Sequence, residues 1–103
     1  MYVRQRDGRS LSVKVVLERQ IHKIVNVSPN AFSRLDGQVG DECIDEYQQA
    51  AISGAMSALT DTDVGGVLTI LEVDCFPADS TPDDVRESSL IATTLAVRKS
   101  AGR

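Results

Sequence analysis

The apolar period of the chain changes once, at Asp41, and that change constrains the fold more than any single motif does. Before it, "YVRQRDGRSLSVKVVLERQIHKIVNV" is rich in β-branched residues, and Val13, Val15 and Leu17 alternate with Lys14 and Glu18. A period of two sends one strand face into a core and leaves the other outside. Asp7-Gly8 is a turn signal between two such runs, so the opening reads as a hairpin. Ile21, Val25 and Val27 alternate with His22, Ile24 and Asn26 in a third strand, which Pro29 should end. "SPNAFSRLDGQVG" then reads as a loop, broken by Gly37 and Gly40.

After Asp41 the apolar residues recur at helical spacing. Ile44, Tyr47, Ala51, Ala55 and Ala58 form one stripe, widened by Ile52, Met56 and Leu59, which predicts a helix to about Leu59. Asp41 is the expected N-cap, and Glu42, Asp45 and Glu46 suit the positive end of the helix dipole. A second helix is signposted by "TPDDV". Thr81 can cap it, Pro82 fits the first helical position, and Asp84 stands where a capping-box acid would. Ser88, Ile91, Ala92, Leu95 and Ala96 give it a stripe small enough for another helix to approach closely. Arg98 and Lys99 suit its negative end, and Gly102 closes the chain.

Between the helices two readings compete. Asp61, Asp63, Gly66, Leu68, Thr69 and Glu72 fall on the first, third, sixth, eighth, ninth and twelfth positions of a calcium-binding EF-hand loop. Gly65 supplies no side-chain oxygen at the fifth position, and Pro77 interrupts the segment that should become the exit helix. "VLTILEVDC" is instead β-rich, with Leu71, Val73 and Cys75 alternating with Glu72 and Asp74. The strand is the better reading: Asp61 to Gly66 should turn the chain and Val67 to Cys75 should form the strand. Calcium at Asp61, Asp63 and Glu72 is the alternative.

The chain has 103 residues, 42% hydrophobic and 25% charged, which is enough for one domain spanning 1–103. No apolar run approaches the roughly 20 residues of a membrane span, and "MYVRQRDGRS" has no apolar targeting core, so a cytoplasmic protein off the membrane is expected. Cys43 and Cys75 are too far apart for a CxxC motif and are expected as reduced, buried, small side chains, with a disulfide between them as the alternative. With one histidine, His22, on an expected strand and no acid beside it, neither a nucleophilic triad nor a zinc site is legible. The net charge of −4 is unevenly spread: residues 1–34 carry seven Lys/Arg against two acids, and the remainder four against thirteen. A basic end of this kind can meet a phosphate backbone, although an acidic chain is no generic nucleic-acid binder. No enzyme and no cofactor are expected.

The element order strand, strand, strand, helix, strand, helix, with both helices on one sheet face, defines an α+β two-layer sandwich. In that order the chain resembles the fourth domain of translation elongation factor G, of the ribosomal protein S5 domain 2-like group. "YVRQRDGRSLSVKV", "DEYQQAAISGAMSAL" and "VLTILEVDCFPADSTPDDVRESSLIATTLAVRKSA" carry the resemblance, which spans nearly the whole chain. It implies a mixed sheet, a strand at Leu68 to Cys75 with no metal before it, and a domain shaped like a tRNA anticodon arm whose tip loops reach the decoding region of the ribosome. The tip positions would be Asp7, Gly8, Arg9 and Ser10, and Cys75, Phe76, Pro77 and Ala78. Arg4, Arg6, Arg9 and Lys14 would face phosphate. The first tip loop is shortened to "RDGRS", and Phe76 stands near the family's tip histidine. No GxxxxGK[ST] is present, so no nucleotide is expected. The implied function is a non-catalytic module that meets ribosomal RNA or the ribosome. The alternative is a protein-interaction or homodimerisation module that keeps the fold without RNA binding.

Overall fold

The strand from Leu11 to Arg19, β2, alternates as its sequence does: Leu11, Val13, Val15 and Leu17 are buried while Ser12, Lys14 and Val16 are only half-buried. The computed structural model describes residues 2–7, 11–35, 40–74 and 81–101. β1 (Tyr2–Asp7) pairs antiparallel with β2, from Asp7 opposite Leu11 to Tyr2 opposite Val16. Five residues, Lys23–Val27, make β3, and a 3₁₀ turn follows at Ser33–Leu35. Helix α1 covers Asp41–Thr62, β4 covers Gly66–Asp74, and α2 covers Pro82–Ala101. The sheet order is β1-β2-β4-β3. β2 and β4 run antiparallel, and β3 and β4 run parallel with α1 as the crossover between them.

This is the expected α+β sandwich of one mixed sheet with two helices on one face. Leu68 and Ile70 of β4 lie opposite Leu17 and Val15 of β2, and Val73 lies opposite Val13. All six are buried beneath the helices with Tyr47, Ala51, Ala55, Leu59, Val85, Ala92 and Ala96. Ala31, Phe32 and Leu35, expected only as loop, are core residues too, anchored where the Val73 amide donates to the Ala31 carbonyl at 2.8 Å.

The two helices meet through small side chains: Ala51, Gly54, Ala55 and Ala58 on α1, and Ser88, Ser89, Ala92, Thr93 and Ala96 on α2. The Ser89 hydroxyl donates to the Ala51 carbonyl at 2.6 Å, a contact possible only where backbones approach closely. The capping box of α2 is formed as expected. The Thr81 amide donates to the Asp84 carboxylate at 2.9 Å, and the Asp84 amide donates to the Thr81 hydroxyl at 3.2 Å.

Several expectations are corrected. α1 runs to Thr62 rather than Leu59 and is capped by Asp63 in the left-handed region, φ 52°, whose amide closes back onto Leu59 and Thr60. Its N-cap is Gly40, with Asp41 already helical. β3 starts at Lys23, since the chain bends at Ile21 and His22. Gly65 lies under that bend: a Cβ there would sit 2.6 Å from the Ile21 carbonyl and still closer to that of Gln20. Ile21 is consequently 91% exposed rather than on a core face. Leu71 leaves the alternation at a bulge, because Lys14 pairs with Glu72 and Val15 with Ile70. Cys43 is exposed and free, not buried, and Cys75 lies outside the described residues.

Candidate nucleic-acid interface

Both helices cover the same side of the sheet, so among the described residues the other side is an open face, and strand alternation decides what stands on it. The register sets Arg4 opposite Lys14 and Arg6 opposite Ser12. These positions alternate with Val3, Gln5, Val13 and Val15, and Val13 and Val15 belong to the core, so Arg4, Arg6 and Lys14 occupy open-face positions. The sequence-level candidates on strands are therefore brought together. Gly8, Arg9, Ser10, Phe76 and Pro77 lie outside the described residues, as do Cys75 and Ala78. The flanks of those two segments are described: Asp7 pairs with Leu11, and Ser12 with Asp74. Asp7, Leu11 and Asp74, the described flanks of those segments, therefore stand at the same end of the sheet, next to Arg6 and Ser12.

Opposite charge shares the face, which charge counting along the sequence does not reveal. Because of the bulge at Leu71, Glu72 stands opposite Lys14 and Asp74 opposite Ser12. Across the sheet at this end the positions run basic on β1 and acidic on β4. Farther along the strands the face turns apolar, with Val16 and Val67 half-buried and Ile24 exposed.

The calcium alternative finds its residues dispersed. Asp61 is in the last turn of α1, Asp63 is the cap, and Glu72 is six residues into β4, about 20 Å along the strand. Among the described residues no three His, Cys, Asp or Glu side chains cluster so as to hold a metal ion. The Asp63 carboxylate is instead bonded to the Lys23 ammonium at 2.9 Å. That hydrogen bond, together with the charge of Lys23, holds the Asp63 carboxyl below its ordinary 3.8. A depressed carboxyl contributes stability that is present above 3.8 and lost as the pH falls through its lower folded value. Asn tolerates the left-handed conformation, so Asp63→Asn should cost little at neutral pH. The Tm difference between wild type and variant should shrink as pH falls below 3.8. A difference constant with pH would show that the ion pair contributes nothing.

His22 is exposed in the bend, and its carbonyl accepts from the Gly66 amide at 2.8 Å. On the outer side of α1, Gln49, Ile52, Ser53, Met56, Ser57 and Thr60 line a shallow groove. Ile52 and Met56 thus lie only partly in the core. Arg86 of α2 donates to the Ser53 and Ser57 hydroxyls at 3.3 Å each. The sequence signal for this close helix contact was Gly54 standing in an alanine-rich helix. Among the described residues no helix is long and apolar enough to cross a membrane. No protein-family model and no curated protein matches the chain.

Proposed function

We propose that the chain is a non-catalytic module, similar to the fourth domain of elongation factor G, that meets phosphates of structured RNA with the β1 side of its open sheet face. The observation that carries this reading is the register that lines up Arg4, Arg6 and Lys14 at the end of the sheet where Asp7, Leu11 and Asp74 stand. Glu72 and Asp74 confine the positive field to β1 and the hairpin. This narrows the reading to a short phosphate track rather than a broad basic surface. A ribosome-facing role would place the protein in the cytoplasm, with ribosomal RNA or the small subunit as partner.

Binding of the purified chain to small ribosomal subunits and to 16S-type RNA across a salt series tests this. Two or three neutralised phosphates give a slope of log affinity against log salt of roughly −2 to −3. The double reversal Arg4→Glu, Arg6→Glu should weaken binding by about tenfold or more at low salt. Arg98→Glu, an exposed change in the last turn of α2, should leave binding unchanged. Absence of binding at low salt, or equal loss in all variants, would overturn the reading.

A further inference from the structure

Among the described residues no strand pairs with the outer edge of β3. The Gly66 amide donates to the His22 carbonyl at 2.8 Å, and the Ser28 amide donates to the Ile70 carbonyl at 2.9 Å. In a parallel pair the residues bonding to the neighbour alternate, so His22, Ile24, Asn26 and Ser28 point their peptide groups at β4. Lys23, Val25 and Val27 then turn theirs outward, where no backbone partner among the described residues meets them. Such an edge is a template for another strand unless something guards it. The usual guard is a lysine, and here the Lys23 ammonium is drawn back to Asp63. The opposite edge strand, β1, has Arg4 and Arg6 in its sequence.

The exposed large hydrophobic side chains among the described residues, Ile21 and Ile24, both belong to this edge. We infer that β3 is a self-association edge and that its occupant is β3 of a second copy of this chain, antiparallel about a two-fold axis at Ile24. In that register Ile24 lies against Ile24 of the second copy at a site without hydrogen bonds, where cross-strand side chains are closest. Lys23 and Val25 become hydrogen-bonded partners twice over, exchanging about four backbone bonds. Ile21 comes to lie against Val27 of the second copy. The parity is the required one, since the outward-turned residues Lys23 and Val25 are those that pair. No like charges meet, because Lys23 faces valine. The two four-stranded sheets become one continuous sheet, and the β1 edges that carry the proposed RNA contacts stay at its outer ends. This inference therefore stands independently of the RNA reading.

An edge contact of this length buries less than the ~1,600 Å² of a standard interface, so the dimer should dissociate on dilution through the micromolar range. Sedimentation equilibrium of the full chain from low micromolar to near-millimolar concentration should show a mass rising from one chain to two. Amide hydrogen exchange at Lys23 and Val25 should slow over the same range. Ile24→Lys, at an exposed position, sets two ammonium groups face to face and should weaken dimerisation by roughly tenfold or more, with the Tm of the dilute monomer unchanged. Val25→Pro removes an outward amide and should act in the same direction. If Val25→Pro does not fold, the exchange data on the wild type decide. A chain that stays monomeric to near-millimolar concentration would overturn the inference. So would a dimer in which these amides exchange as fast as in the monomer, or one that survives Ile24→Lys.

Discussion

Replacing Gly54 by alanine should destabilise the protein by about 2 kcal/mol, even though helix propensity alone favours alanine by about 1 kcal/mol. Gly54 is in the middle of α1, where a glycine costs conformational entropy and is worth keeping only for a packing reason. The reason is α2. A Cβ at Gly54 would overlap the Arg86 carbonyl oxygen, and would lie 3.0 Å from its carbonyl carbon and 3.1 Å from the Leu90 amide nitrogen. All three are backbone atoms in the interior of a helix, so none can swing aside as a side-chain tip would. Relief requires the helices to separate, which loosens the Ser89 to Ala51 hydrogen bond and the contacts of Ala55, Ala92 and Ala96. In a domain of this size 2 kcal/mol lowers Tm by roughly 8–16 °C. Thr60→Ala, exposed on the same helix, serves as the control and should hold or raise Tm. A Gly54→Ala variant as stable as wild type would show that the helices do not approach this closely.

Leu68→Ala should be more damaging still, at about 2–5 kcal/mol. Leu68 is fully buried in β4, a central strand, with Leu17 opposite it on one side and Val25 on the other. It thus ties the antiparallel and the parallel halves of the sheet to the same patch of core. Truncation leaves a cavity between strands that are hydrogen-bonded on both edges and can collapse little, which favours the upper part of that range. Total stabilities are typically about 5–15 kcal/mol, so this one change should remove a large share of the whole. Urea titration measures it: the midpoint should fall sharply with the slope unchanged. A loss under about 1 kcal/mol would mean that Leu68 is not at a packed position.

Some of this was legible in the residues. The alternation of Val13, Val15 and Leu17 reports burial directly, because β2 keeps a period of two through Leu17 and the extra residue of the bulge falls on β4. Thr81, Pro82 and Asp84 specify the start of α2 through bonds spanning three residues, so no distant partner is needed. The end of α1 was different. Thr60, Asp61 and Thr62 are weak helix formers. The helix nevertheless continues through them and closes at Asp63, whose amide bonds back to Leu59 and Thr60 and whose carboxylate is held by Lys23, forty residues away in the chain. The bend at Ile21 likewise answers to Gly65, and the displacement of Leu71 answers to the strand it pairs with.

The candidate site divides in the same way. Arg4, Arg6 and Lys14 were identifiable as a basic group near the hairpin, but the acids that share their face, Glu72 and Asp74, lie some sixty residues later and reach it through one bulge. Periodicity and caps act over a few residues, and the elements, their order and the inward face of β2 follow from them alone. That β3 lies parallel to β4 at an edge, with Ile24 exposed and the Lys23 ammonium held by Asp63, emerges only once the strands have packed. Strand pairing, register and edge position are set by contacts between residues distant in the chain, and the physics of a local window cannot choose among them.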